Sequence, residues 1–335
     1  GVMSMRRGLY LSRNLVAIRV GMELGPESVI DEARKFGITT PIHPYPSIYI
    51  GSEGVYPLEL MSSYSAFATL GSRAAPMGIT RVENAKGEVL WEPAPAITPV
   101  MSAEEAWEMV DMMKDVVQHG TAYGAVWAAG FHLPAAAKTG TTNDYNDVWF
   151  IGYTADLVAG VWMGMDRPVK IMHDAQGGRL AGPAWTAFMT EVYRRKPPPP
   201  DWPRPDGLIA REIDRTTGMI RNPYCPTAVV STEWYIPGTE PVEQCTVHSA
   251  TDTSVGDTLH MEMPVTAGPP APIAVAPSNG TAGANVMPTS GAATPGTPAP
   301  GTPASRPNTV PASPPNTPAV GVRVPASSPR PAGRQ

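Results

Sequence analysis

Between residues 135 and 153 the chain reads AAAKTGTTNDYNDVWFIGY, and its reactive side chains fall in one short stretch: Lys138, Thr139 and Thr141, with Gly140 between the threonines. Lys138 offers a compact cation, the threonines offer hydroxyls at alternate positions, and Gly140 removes a side chain where a ligand would approach the backbone. Together they suit a small carboxylate. The apolar runs on either side, residues 135–137 and 148–153, predict two strands with a functional edge between them, because the second is rich in aromatic and β-branched residues. A phosphate loop is excluded. That pattern needs Gly immediately before the Lys and another five residues earlier, where this chain has Ala137 and His132.

A second motif, Ser12-Arg13-Asn14, lies upstream in a helical context. Ser-x-Asn with Lys-Thr-Gly, accompanied by Ser-x-x-Lys, marks active-site serine enzymes that react with β-lactams. The matching residues extend further, through LYLSRNLVAIRV (9–20), His119-Gly120-Thr121-Ala122, residues 138–147, VWFIGYTADLVAGVWMGM (148–165), residues 178–183 and WYIPGTEPVEQC (234–245). On this ordered series, over roughly residues 1 to 248, the chain resembles the C-terminal part of a class A, bifunctional penicillin-binding protein. The resemblance implies an α+β fold of the transpeptidase, β-lactamase-like kind: an antiparallel sheet flanked by helices, with the N-terminal part of the fold outside this chain. It also implies site roles. Ser12 relays a proton, Asn14 holds the substrate's peptide backbone, and Lys138 with Thr139, Gly140 and Thr141 receives the terminal carboxylate, the Thr141 N–H serving as an oxyanion donor. The implied partners are peptidoglycan stem peptides, β-lactams and the cell-wall synthesis machinery. The implied location is the periplasmic face of the bacterial inner membrane, through an anchor in a preceding half that would also hold a glycosyltransferase domain.

One departure matters. The residues three before the six lysines are Glu32, Glu83, Asp111, Ala135, Arg167 and Tyr193, so the chain contains no Ser-x-x-Lys. The nucleophile is expected upstream of Gly1, and the chain alone is expected to be inactive. Two alternatives to a transpeptidase stay open: a serine D,D-carboxypeptidase or β-lactamase relative, and a non-catalytic penicillin-binding-like module. The 234–245 segment and a Pro-rich tail are not expected of a compact β-lactamase.

The elements that must position these residues follow from local signals. Ser4 caps a short helix to about Leu11, and residues 15–24 read as another, leaving Ser12 and Asn14 at the break. Pro26 opens a helix closed at Phe36-Gly37. A Pro/Gly-rich loop over 41–56 carries Tyr45, Tyr49 and Tyr56, expected to pack it down. Residues 58–70 read as one core helix, and 78–92 as a hairpin with Ile79, Val82, Val89 and Leu90 packed. Ser102 and Glu105 form a capping box for a helix to about His119. A strand over 157–163 must pair antiparallel with the one before it, since three residues join them. Residues 183–195 predict a helix with Trp185, Phe188, Met189 and Val192 buried, and 206–214 a further strand.

The resemblance and the composition together imply three parts in the 335 residues: a transpeptidase portion (1–200), a small extension with the Cys pair (201–250) and a Pro/Ala/Thr/Ser-rich tail (251–335). From Val265 on there is no Asp, Glu, Lys, Cys or aromatic residue, and only four Arg carry charge, so the tail is expected to be disordered. Subtracting that +4 from the formal net charge of −5 leaves about −9 on the remainder, which argues against nucleic acid as a partner. No run approaches the ~18 consecutive apolar residues of a membrane helix. His119 and His132 have no partners at metal spacing, and two cysteines cannot close a tetrahedral zinc site unaided, so neither a metal site nor a cofactor is expected. Cys225 and Cys245 are then a disulfide or two free thiols, and the periplasmic location implied by the resemblance favours the disulfide.

Overall fold

The structure, a computed structural model, describes residues 3–249, so the tail expected to be disordered lies outside the described residues. Helix α1 (Met5–Tyr10) starts at Ser4, whose hydroxyl accepts from the Arg7 N–H, and the chain breaks before α2 (Asn14–Leu24). Gly25, at φ +84°, ends α2 and lets Pro26 open α3 (Pro26–Lys35). The loop after α3 holds a 3-10 turn, Pro46–Ile50. Tyr49 packs so tightly over Gly21 that a Cβ there would lie 2.2 Å from its ring, whereas Tyr45 and Tyr56 are exposed.

The segment expected as one helix is two, α4 (Pro57–Ser63) and α5 (Ser65–Ala68). Ser63 and Ser65 hydroxyls donate back to the Leu60 and Ser62 carbonyls, a local competition that bends helices. Strands β1 (Ser72–Ala74), β2 (Val82–Glu83), β3 (Val89–Trp91) and β4 (Ile97–Pro99) pair antiparallel as β1–β4 and β2–β3. The expected hairpin forms, but Ile79, Val82, Val89 and Leu90 are exposed, because so short a two-stranded ribbon has no second layer to bury them.

Helix α6 (Ala103–Gln118) begins with the full Ser102/Glu105 capping box and buries Ala106, Val110, Met113, Val116 and Val117. After it come β5 (Ala136–Thr141), β6 (Val148–Tyr153) and β7 (Val158–Met163), one antiparallel sheet in the order β5-β6-β7. Strand β5 is therefore an edge. Side chains alternate across the sheet: Ala137, Val148 and Phe150 join Trp185 and Met189, whereas Ala136 and Tyr153 join Val110 and Met113 of α6.

Helix α7 (Gly177–Arg195) starts six residues before the expected Pro183, which sits inside it. A proline there forfeits one helical N–H, and burial of Ala181, Trp185 and Met189 offsets the loss. Phe188, expected in the buried stripe, is exposed on the outer side. Finally β8 (Ile209–Asp214) and β9 (Val230–Tyr235) form an antiparallel pair. It is docked on the body: Arg6 of α1 binds Glu233 of β9 at 2.6 Å and also Asp111 and Asp115 of α6, and the Ile236 N–H donates to Glu108. Among the described residues no helix is long and apolar enough to cross a membrane.

The expected Cys225–Cys245 bridge is not formed; both are free thiols. Their sulfurs have other partners, Cys245 meeting Asp214 and His248 at 3.4 Å each, and Cys225 meeting Asn222. The expectation of no metal site weighed His119, His132 and the two cysteines, and the fold instead gathers Asp214 and His248 around the cysteines.

Candidate active site

Four chain segments meet at the exposed edge of β5. The break between α1 and α2 presents Ser12 in the left-handed region, at φ +53°, while the Ser12 and Arg13 N–H groups close the end of α1 by donating to Leu9 and Gly8. A non-glycine residue held there is strained by roughly 1–2 kcal/mol. The consequence is an aimed hydroxyl. Lys138 Nζ donates to Ser12 Oγ at 2.8 Å, across 126 residues of sequence, and to the Thr139 carbonyl at 2.8 Å.

Lys138 carries the site's electrostatics. It lies on the α6 face of β5, between Ala136 and Gly140, and no ion pair involves it among the described residues. Burial, which penalises the ammonium, pulls its pKa down to about 8. An anion arriving at this edge would find a cation that lacks a counter-charge. Gly140 shares that face, and the nearest atom to a Cβ built on it is the Cβ of its cross-strand neighbour Trp149, at 3.1 Å.

Thr139 and Thr141 lie on the opposite pleat and are held by different segments. Thr139 Oγ1 is 2.8 Å from Thr121 Oγ1, and Thr121 sits in the turn after α6, whose N–H donates to the Tyr10 carbonyl at the end of α1. Thr141 Oγ1 accepts from the Gly177 N–H at 3.1 Å, so it caps the start of α7. The positive end of α7 is thereby fixed beside the Lys-Thr-Gly strand. This approach is possible only without side chains: a Cβ on Gly177 would lie 2.2 Å from the Trp149 carbonyl oxygen, and one on Gly178 2.3 Å from that of Thr121.

Of the residues singled out in sequence, Ser12 and Lys138 are in direct contact, and Thr139, Gly140 and Thr141 line the same strand. Asn14 is the first residue of α2 and exposed, and among the described residues no side-chain hydrogen bond joins it to them. Thr121 and Gly178 lie in stretches that carry the resemblance, which implies a place for the Thr121 turn near the edge of the site, whereas reading for motifs missed Gly177. Its signal was present as Gly177-Gly178 ahead of an apolar helical pattern.

Two family models match the chain, "Penicillin binding protein transpeptidase domain" over residues 1–190 and "Penicillin-binding protein 1A, C-terminal domain" over residues 204–250. Penicillin-binding protein 1A of Aquifex aeolicus is 32% identical over 245 residues, covering 73% of this chain and 33% of that one. Its namesake in Pseudomonas aeruginosa is 30% identical over 279 residues, covering 68% and 34%. The chain thus spans about a third of the length of these relatives. Among solved structures, penicillin-binding protein 1A of Haemophilus influenzae superposes with a TM-score of 0.67 at 23% identity, covering 72% of this chain and 41% of that one. PonA1 of Mycobacterium tuberculosis, solved with penicillin V, gives 0.50 at 23% identity, covering 60% and 58%. The shared fold is that of penicillin-binding transpeptidases. Since the transpeptidase pattern runs through both the Ser12 break and the Lys138 strand that touch in the structure, the chain belongs to the penicillin-binding protein transpeptidase domain family.

Proposed function

We propose that this chain supplies the substrate-carboxylate half of a peptidoglycan D,D-transpeptidase site in a bifunctional cell-wall synthase, and that the nucleophilic Ser-x-x-Lys lies upstream of Gly1. The observation that carries this reading is the 2.8 Å contact between Lys138 Nζ and Ser12 Oγ beside a strand with a free edge.

The reaction is acyl transfer. The upstream serine attacks the penultimate carbonyl of a D-Ala-D-Ala stem, the tetrahedral intermediate collapses with loss of D-Ala, and the amine of a neighbouring stem then takes the acyl group. Lys138, Thr139 and Thr141 receive the terminal carboxylate, helped by the positive end of α7. Ser12 passes a proton between Lys138 and the leaving nitrogen. Asn14 binds the peptide backbone of the stem. The Thr141 N–H is one oxyanion donor. A β-lactam presents its carboxylate and strained amide to the same groups and leaves the serine acylated. The remainder of the parent protein would hold the membrane anchor, on the periplasmic side of the inner membrane, and a glycosyltransferase domain.

Fluorescent penicillin tests the assignment on two proteins, this chain and one extended upstream through the Ser-x-x-Lys. The extended protein should be labelled covalently and this chain should not, because no serine here has a lysine one helical turn away to take its proton. Labelling of this chain at any serine would remove the nucleophile from the upstream segment. Equal labelling of the extended protein and its Lys138→Ala variant would remove Lys138 from the carboxylate site. Rapid release of the penicilloyl group would identify a hydrolase.

A further inference from the structure

Far from Lys138 in sequence, the extension gathers Asp214, Cys225, Cys245 and His248 so that one ligand atom of each lies within 4.8 Å of all the others. Asp214 is fully buried and Cys245 nearly so. The Cys245 sulfur is 3.4 Å from Asp214 Oδ2 and 3.4 Å from His248 Nδ1, and that nitrogen is 2.6 Å from Asp214 Oδ2. Bond lengths of about 2.3 Å to sulfur and about 2.0 Å to nitrogen or oxygen would set the ligand atoms of a tetrahedral zinc site roughly 3.3–3.8 Å apart. Both contacts of the Cys245 sulfur already have that spacing. The His248–Asp214 pair must open by less than an ångström, and the Cys225 sulfur lies within 4.8 Å of the other three ligand atoms.

The atoms not facing the cluster are tied down, as the partners of metal ligands are. Asp214 Oδ1 accepts from the N–H groups of Thr216 and Thr217, which leaves Oδ2 alone to face the two sulfurs and the imidazole. Asn222 Nδ2 donates to the carbonyls of Cys245 and His248, at 2.8 Å each, fixing the Cys-x-x-His turn. The N–H of Asn222 lies 3.3 Å from the Cys225 sulfur.

We propose that these four residues form a closed zinc site that clasps the extension. Thiolate ligands select zinc over magnesium or calcium, and four protein ligands leave no open position, so the site is structural and not catalytic. It joins the last residue of β8 to the 222–225 turn and to the 245–248 turn, which have little secondary structure to hold them. An ion pair between His248 and Asp214 would account for two of the residues and a disulfide for the other two. Neither accounts for all four converging.

The test uses the whole chain. Purified without chelator, it should carry one zinc per molecule by elemental analysis, and replacement by cobalt(II) should give the intense visible bands of tetrahedral coordination with thiolate-to-cobalt charge transfer in the near ultraviolet. Cys225→Ser and Cys245→Ser should lower zinc affinity by at least about tenfold, and His248→Gln and Asp214→Asn should change the cobalt bands. Because the cobalt spectrum is read on the unsubstituted chain, a variant that fails to fold leaves the result standing. Three outcomes would overturn the site: zinc content unchanged when both cysteines are serine, a cobalt spectrum without charge transfer, or zinc-free protein from an oxidising compartment with its two thiols joined.

Discussion

Lys138 holds a charge that its surroundings oppose, and the opposition sets how it responds to pH. Its folded pKa of about 8 lies below the value of about 10.4 for a free lysine, so between these the unfolded chain binds more protons and stability rises with pH. At pH 7 the whole penalty is present. Lys138→Met should therefore raise the unfolding free energy at pH 7 by about 1–3 kcal/mol, with the gain shrinking between pH 8 and 10.5, as urea titrations at several pH values will register. In the protein extended upstream, penicillin acylation should fall above about pH 8 as the cation is lost, and Lys138→Arg should move that fall to higher pH. Ser12 gives a complementary case. Relief of its positive φ offsets the entropy of glycine, so Ser12→Gly should leave stability within about 1 kcal/mol while slowing acylation at least about a hundredfold.

At the level of elements, the site depends on how closely α7 approaches β5. Gly177 lies where a Cβ would meet the Trp149 and Gly140 carbonyl oxygens, at 2.2 and 2.5 Å, and backbone cannot yield as a side chain does. Gly177→Ala should cost more than about 2 kcal/mol in chemical denaturation and weaken penicillin capture in the extended protein. Gly124→Ala is the control. A Cβ at Gly124 meets nothing within 4 Å, and the change should stay within about 0.5 kcal/mol.

Across the molecule, Arg6 ties α1 to α6 and to β9, 227 residues away, through three carboxylates. Burial works to lower its pKa, but Asp111, Glu233 and Asp115 outweigh that and raise it. Glu233, pushed up by burial, depends on this partner to remain ionised. Arg6→Met should cost about 2 kcal/mol, since it strands half-buried carboxylates in a body that is already acidic. The loss should shrink on acidification from pH 7 to pH 5, as Glu233 takes up a proton, and Glu233→Gln should restore part of the stability at neutral pH. Thermal melts of the three proteins at both pH values check this.

Local signals in the sequence determined a good deal of this protein. The Ser4 and Ser102 caps, the Pro26 start and the 148–153 strand depend on interactions within a few residues, and each is where it was expected, whereas the strand expected over 135–137 runs on through Lys-Thr-Gly to Thr141. The family resemblance, and no local signal, connected Ser12 with Lys138. Other features were decided only by packing between distant segments. The start of α7 lies upstream of Pro183 because burial against the sheet outweighs one lost N–H, and Phe188 faces outward because Trp185 and Met189 already fill the space above β6. Asp214 and His248 reach the two cysteines because β8, its hairpin partner and the Asn222-held turn close on one another. No periodicity along the chain encodes that meeting: four ligand atoms drawn from residues 214–248 are brought together by hydrogen bonds that exist only once the segments have docked.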